Sequence, residues 1–342
     1  MNTDKITDVI WIQTAFLGDV ILSTAAFSGL KAIYPSINQH LITTPIGKAA
    51  LNEHPALSSI IGWDKRKGFS DIWKQLRHFR SRLHRQSTLI LQPHRSARSS
   101  ILSRILGFQV ITYTETKLAP LKAIKVPRIS LLHESHRVSL LLEPLGISRE
   151  ISRDWLPNLK PLPISTQMAQ KISPSNKVIA IAPGSVWATK RWTVSGFQSL
   201  IDIIQRETTY DMVLLGSGDD AKLADEILAG LLDKKRVVNL VNQTSLDELR
   251  MLYPKLSALI SGDSSPIHYG SAFQTPTVMI YGATHPALGF YSRSKRSEIV
   301  EMKDLLCRPC SEHGPRSCPL GHFQCMRSIT GRQVFEALMR VI

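Results

Sequence analysis

Short runs of almost unbroken apolar residues recur along this chain, each followed by small or polar turn residues and then by a stretch of helical periodicity. A strand that is apolar on both faces must be covered on both faces, and parallel neighbours can be joined only by a crossover, normally a helix. The pattern predicts an α/β fold built on parallel sheets. In the first half the strand candidates are residues 9–12 (Val-Ile-Trp-Ile), 40–44, 88–92 and 109–113. Helical segments run from the first turn toward Pro35, around 71–84 and over 97–106. The second half starts the rhythm again with strand 178–182, helix 194–206, and strand 212–215 breaking at Gly216-Ser-Gly218. Strand 237–241, a capping box at Ser245 and Glu248, strand 258–261 and strand 277–281 follow.

Between the halves, Pro157, Pro161, Pro163 and Pro174 fall in a stretch without periodicity, which reads as a linker. At 342 residues the chain is about twice the usual single-domain length. The expected organisation is one Rossmann-like unit over 1–160, a linker over 161–176, a second Rossmann-like unit over 177–327 and a terminal helix over 328–342. That helix is expected to pack back across the domain boundary, and the ligand cleft is expected between the units. No apolar run reaches the roughly 18 residues needed to span a bilayer. Residues 1–8 place two acids before an apolar run that Gln13 and Thr14 cut short, the wrong order and length for a signal peptide, so the cytoplasm is the expected compartment.

A net charge of +15 asks for an anionic partner: nucleic acid, an anionic membrane or a phosphorylated substrate. Much of the excess lies between Trp63 and Arg104, where Lys65, Arg66, Lys67, Lys74, Arg77, Arg80, Arg82, Arg85, Arg95, Arg98 and Arg104 face only Asp64 and Asp71. These residues form either solvated helix faces or a convergent anion site. No helix-turn-helix, RNA-recognition or zinc-finger signature accompanies them, which argues against nucleic acid.

In open α/β sheets, ligands gather at the carboxyl ends of strands, where helix N-termini offer unpaired N–H groups. Three turns of the second half fit. In residues 182–192, Gly184 and Ser185 allow close backbone approach, and Lys190 and Arg191 bring charge for a phosphate. In residues 216–220, Asp219 follows a glycine-rich strand end and can accept ribose hydroxyls, or merely cap a helix. In residues 262–268, Asp263, Ser264 and Ser265 precede Pro266 at a first helical position, with His268 beyond, either at the site or as a satisfied core histidine. None of these matches a dinucleotide fingerprint or a Walker loop. In the first half, Gly18-Asp19 closes the first strand–helix turn. Asp19 is either a helix cap or a general base that takes the proton of an attacking hydroxyl. A lysine and helix N-terminal amides can hold a departing nucleoside diphosphate without metal. Asp219-Asp220 is an adjacent acidic pair, not an Asp-x-Asp motif.

Taken together, Leu17-Gly-Asp19, Pro183-Gly-Ser185, Lys190-Arg-Trp192, Asp263-Ser264 with His268, Tyr281-Gly282 and a closing Cys-x-x-Cys…Cys-Pro…Cys-Met segment resemble glycosyltransferase family 9, the ADP-heptose:lipopolysaccharide heptosyltransferases, most closely the heptosyltransferase II branch. The resemblance implies a GT-B fold with the donor on the second unit, the acceptor on the first, and inversion at the anomeric carbon. It implies that Asp19 is the base and Lys190 the phosphate-contacting lysine, with Gly184, Ser185, Asp219, Thr244, Asp263, Ser264, Ser265 and His268 at the donor. Arg95 and Arg98 are then expected to meet an anionic lipopolysaccharide-core acceptor at the inner surface of the cytoplasmic membrane. The alternative is a transferase or epimerase of the same fold that uses another nucleotide sugar. Ser265 stands where the family usually has glycine and enters positive φ less freely, so a changed loop or donor contact is expected there.

Cys307, Cys310, Cys318 and Cys325 are spaced so that they can close around a structural tetrahedral zinc, with His313 and His322 nearby, or remain a loop of free thiols. No cofactor is expected in the chemistry itself.

Overall fold

The computed structural model describes residues 5–172 and 177–342. Residues 1–4, which begin the stretch read against a signal peptide, and residues 173–176, which include Pro174 of the expected linker, lie outside the described residues. The chain divides into two compact units, Met1–Lys160 and Pro161–Ile342. Among the described residues no helix is long and apolar enough to cross a membrane.

The first unit contains strands β1 (Asp8–Ile12), β2 (Asn38–Thr43), β3 (Ser59–Gly62), β4 (Thr88–Gln92), β5 (Gln109–Tyr113) and β6 (Ile124–Val126). Its helices are α1 (Leu17–Ile33), α2 (Pro45–Ala50), α3 (Ser70–Arg80), α4 (Ala97–Leu106), α5 (Glu134–Leu140) and α6 (Arg149–Ser152). The strands pair in parallel in the order β3-β2-β1-β4-β5-β6. On one face Ile10, Ile12, Ile42, Ile90 and Val110 pack against Ile72 and Leu76 of α3 and Leu102 and Leu106 of α4. The α1 helix packs along α5. A buried amide fixes α1 to the sheet: Trp11 Nε1 donates to Gln39 Oε1 at 2.8 Å, and Gln39 Nε2 donates to the Phe27 carbonyl at 2.7 Å.

The second unit opens with α7 (Thr166–Lys171), N-capped by Ser165, inside the stretch that shows no periodicity in the sequence. It continues through β7 (Val178–Ala182), α8 (Val194–Glu207), β8 (Asp211–Leu214), α9 (Ala221–Ala229), β9 (Val237–Asn239), α10 (Leu246–Leu252), β10 (Ala258–Gly262), α11 (Ser265–Phe273), β11 (Thr277–Tyr281), β12 (Ser297–Glu301), α12 (Gln324–Arg327) and α13 (Gly331–Val341). The order β12-β11-β10-β7-β8-β9 repeats the topology of the first sheet. A capping box between Thr330 and Gln333 starts α13, which buries Val334, Phe335, Leu338 and Val341. The apolar face of α13 packs on α8, β11 and β12 of its own unit.

One glycine governs how α1 is seated. A Cβ on Gly29 would lie 2.2 Å from the Trp155 indole, so the ring rests directly on the helix backbone. Gly29→Ala is expected to destabilise the protein by about 1–3 kcal/mol through overpacking, measured by urea unfolding.

Candidate active site

Each sheet reverses its winding direction once, between β1 and β4 in the first unit and between β7 and β10 in the second. Crossover helices leave such a point on opposite faces and open a crevice at the carboxyl ends of the two strands. Asp19, Arg95 and Arg98 follow β1 and β4, and Gly184, Ser185, Lys190, Asp263, Ser264, Ser265 and His268 follow β7 and β10, whereas Asp219 and Thr244 lie beyond the outer strands β8 and β9.

In the first unit, the turn after β1 leads into α1 with Asp19 in the first helical turn. The residue keeps some solvent contact, while close packing around its carboxyl pushes the pKa up to about 7. Burial is the main cause, the negative charge of Glu134 adds to it, and backbone N–H groups and Arg128 oppose it. Glu134 opens α5 and is itself buried, shared by Arg128 at 2.8 Å and Arg137 at 2.9 Å. After β4, His94 Nδ1 lies 2.8 Å from Thr14 Oγ1 and 3.0 Å from Ser99 Oγ. Burial, with Lys65 and Arg95 nearby, lowers the His94 pKa to about 4, so the ring is neutral. Lys65 donates to the Thr14 carbonyl, and its own pKa is depressed by burial and by Arg98. Lys65, Arg95 and Arg98 therefore do converge, with both arginines exposed.

In the second unit, Lys190 Nζ lies 2.6 Å from Asp263 Oδ2. The two residues follow β7 and β10, the strands of the switch point. Their closeness depends on Gly262, where a Cβ would stand 2.6 Å from the Lys190 carbonyl. Thr284 Oγ1, just beyond β11, donates to Asp263 Oδ2 at 2.9 Å. His268 is buried in α11, and burial lowers its pKa to about 4. Among the described residues, His268 Nδ1 and the Tyr281 hydroxyl have no hydrogen-bond partner. Ser264 is the N-cap residue of α11 and Ser265 the first residue of the helix, so Ser265 needs no left-handed backbone and the exchange for glycine is conformationally neutral here.

Asp219 is exposed beyond β8, and its neighbour Asp220 packs on the Gly184 turn, where its Oδ1 would lie 2.0 Å from a Cβ on Gly184. Asp220 also caps its own turn by accepting from the Ser217 amide at 2.8 Å. Ser185 is buried, and its carbonyl accepts from Arg191 Nε at 2.7 Å. Thr244 is half-buried between β9 and α10. Sequence reasoning missed Thr284, Glu134, Arg128 and Arg308, which carry no local motif.

Arg308 ties the cysteine segment to the turn after β11. Its guanidinium donates to the carbonyls of Gly282, Thr284 and Met302 and pairs with Glu301 at 2.9 Å. The Cys310 amide donates to the Ala283 carbonyl, and Thr189 Oγ1 donates to the Pro315 carbonyl. All four cysteines are free thiols. Among the described residues no group of three His, Cys, Asp or Glu side chains is placed to hold a metal ion, although Cys307 Sγ lies 4.0 Å from His322 Nε2.

Residues 76–318 match the family model described as glycosyltransferase family 9 (heptosyltransferase). Lipooligosaccharide heptosyltransferase 2 of Campylobacter jejuni is 26% identical over 206 residues, spanning 59% of this chain and 63% of the relative, so the chain aligns with under two thirds of that protein. Lipooligosaccharide heptosyltransferase 2 of Haemophilus influenzae is 22% identical over 98% of this chain and 99% of its own. A solved family 9 glycosyl transferase from Veillonella parvula superposes with a TM-score of 0.82 at 18% identity, covering 98% of this chain and 97% of that one. The fold is GT-B, with two parallel six-stranded sheets and their helices.

The raised pKa of Asp19 has a consequence for stability that is independent of any substrate. A buried carboxyl whose folded pKa exceeds its unfolded value costs nothing while protonated in both states. The cost appears as pH rises through the unfolded value and levels off above the folded one. Asp19→Asn should therefore raise Tm relative to the parent by an amount that grows between pH ~4 and pH ~7 and is constant above, read by calorimetry across that range.

Proposed function

We infer the function from one premise: the chain belongs to glycosyltransferase family 9, the heptosyltransferases. The protein transfers heptose from ADP-heptose to the inner core of lipopolysaccharide, working in the cytoplasm where the lipid-anchored acceptor meets the inner membrane surface. The observation that carries this reading is the convergence of Lys190, Asp263 and the unpartnered His268 Nδ1 beside the α11 N-terminus, all within the matched stretch.

In the step, the acceptor hydroxyl oxygen attacks the anomeric carbon of the heptose while the bond from that carbon to the diphosphate oxygen breaks. The hydroxyl proton passes to the Asp19 carboxylate. Attack opposite the leaving group inverts the anomeric centre. The charge that grows on ADP is held by the Lys190 ammonium, shared from Asp263, and by the amides at the start of α11. Gly184 and Ser185 border the donor, Asp219 and Thr244 face its nucleoside, and Lys65, Arg95 and Arg98 bind acidic groups of the acceptor core. All of these roles fall to protein groups, and none uses the cysteines. A pKa near 7 suits Asp19 to this task, since it is ionised enough to act and basic enough to pull.

The test follows ADP release from ADP-heptose with a heptose-deficient lipopolysaccharide acceptor, beside UDP-glucose and GDP-mannose. Release should require both ADP-heptose and acceptor. Release from another donor would keep the reaction class and move the substrate, and none from any donor would sink the proposal. The kcat/KM should climb with pH toward about 7 and then level off, and Asp19→Asn should lose roughly 10²–10⁴-fold in rate together with that rise. Lys190→Ala should lower kcat by about 10²–10³ while leaving acceptor KM little changed.

A further inference from the structure

Between β5 and β6 the chain crosses the sheet without a helix. The crossing segment, residues 117–122, and the turn before α5 carry three leucines in water: Leu118 is 59% exposed, Leu121 100% and Leu131 85%. Large apolar side chains left in solvent singly are ordinary, but several on neighbouring loops of one strand edge are not. These loops are not loose. The Lys117 amide donates to the Arg95 carbonyl at 3.1 Å, and Ser100 Oγ donates to the Lys117 carbonyl at 2.7 Å. Arg104 Nη2 donates to the Ala119 carbonyl at 3.3 Å, and Gln109 Nε2 to the Lys122 carbonyl at 2.8 Å. The turn at Leu131 is held by buried Arg137, whose guanidinium donates to the carbonyls of Ile129 and Ser130. Leu118 is fixed in the left-handed region, φ 52°, which leucine seldom adopts. The backbone is pinned while the apolar side chains stay in solvent.

The charge around them is mostly positive. Between Thr116 and His133 there is no acidic residue, and Lys117, Lys122 and Lys125 are exposed among the leucines, with exposed Arg95 and Arg104 adjoining; exposed Glu115 just before this stretch is the one acid at its edge, and Glu134 just after it is buried. Leucines flanked by lysines match the boundary of an anionic bilayer, where acyl chains take the apolar groups and lipid phosphates take the ammonium groups. A second copy of the chain would bring the same cations against each other.

We propose that Leu118, Leu121 and Leu131, with Lys117, Lys122 and Lys125, form a preshaped docking surface for an anionic phospholipid membrane. The surface adjoins Arg95 at the carboxyl end of β4, and its use rests on the functional reading above: it holds the acceptor-binding unit at the lipid surface that presents the acceptor.

The test is co-sedimentation of the full chain with phosphatidylcholine vesicles containing about one third phosphatidylglycerol, against phosphatidylcholine alone, at low and high salt. The parent should pellet with the anionic vesicles and be released by salt. Leu118→Ser/Leu121→Ser/Leu131→Ser should reduce binding by about tenfold with Tm unchanged, since the side chains support no core. Lys117→Gln/Lys122→Gln/Lys125→Gln should abolish the difference between anionic and neutral vesicles. ADP release with a lipid-free acceptor fragment should be the same in the leucine variant as in the parent, and should fall only with acceptor embedded in vesicles. Failure of the parent to pellet, pelleting of the leucine variant like the parent, or conversion of a dimer to monomer by that variant would each overturn the proposal. Leucine-dependent vesicle binding without ADP release from any donor would leave the surface standing and remove the heptosyltransferase reading instead.

Discussion

The reversal of winding at the β1/β4 and β7/β10 junctions is the constraint from which the rest of this molecule follows. Parallel strands need right-handed crossovers, so the chain can wind outward in both directions from a central pair only by sending its helices to opposite faces. What remains at the carboxyl ends of that pair is a crevice lined by turn residues, with helix N-termini beside it. In the first unit that crevice collects Asp19, His94, Arg95 and Arg98. In the second it collects Lys190, Asp263 and Ser264. The same topology used twice yields one site rich in cations beside a raised-pKa carboxyl, and another with a lysine beside helix N-terminal amides.

Both crevices depend on charges taken out of water and compensated locally. Glu134 is shared by two arginines and in turn raises the pKa of Asp19, so the proposed base is tuned by an ion pair on another helix. Lys190 is held by Asp263, which Thr284 orients from the neighbouring strand end. Arg308 gathers the carbonyls that follow β11 and is neutralised by Glu301. Buried pairs of this kind add little net stability, and breaking one partner leaves an uncompensated charge, so their main effect is to fix geometry. The cysteine segment belongs to this framework, because its backbone is bonded to Ala283 and Thr189.

Central strands were legible because they are buried on both faces and therefore continuously apolar: β1, β4, β5, β7, β10 and β11 all follow from such runs. The edge strands β3, β6 and β12 were not legible, since Ser-Ile-Ile-Gly, Ile-Lys-Val and Ser-Glu-Ile-Val-Glu are short or polar enough to read as loop. The same limit hid α7, a six-residue helix among prolines. At the site, strand-end turns pointed to Asp19, Lys190 and Asp263. That Asp220, and not its neighbour Asp219, packs on Gly184 is a contact between residues far apart in the chain, which no local pattern gives.

The sequence by itself determined the α/β architecture, the duplication and the location of candidate chemistry at strand ends, because periodicity and turn chemistry are local and survive without tertiary contacts. Tertiary structure alone decided which charges meet. The pairing of Lys190 with Asp263, the pressure of Glu134 on Asp19, the grip of Arg308 on the turn after β11 and the stranding of three leucines among lysines all come from through-space distances between segments that no local pattern encodes.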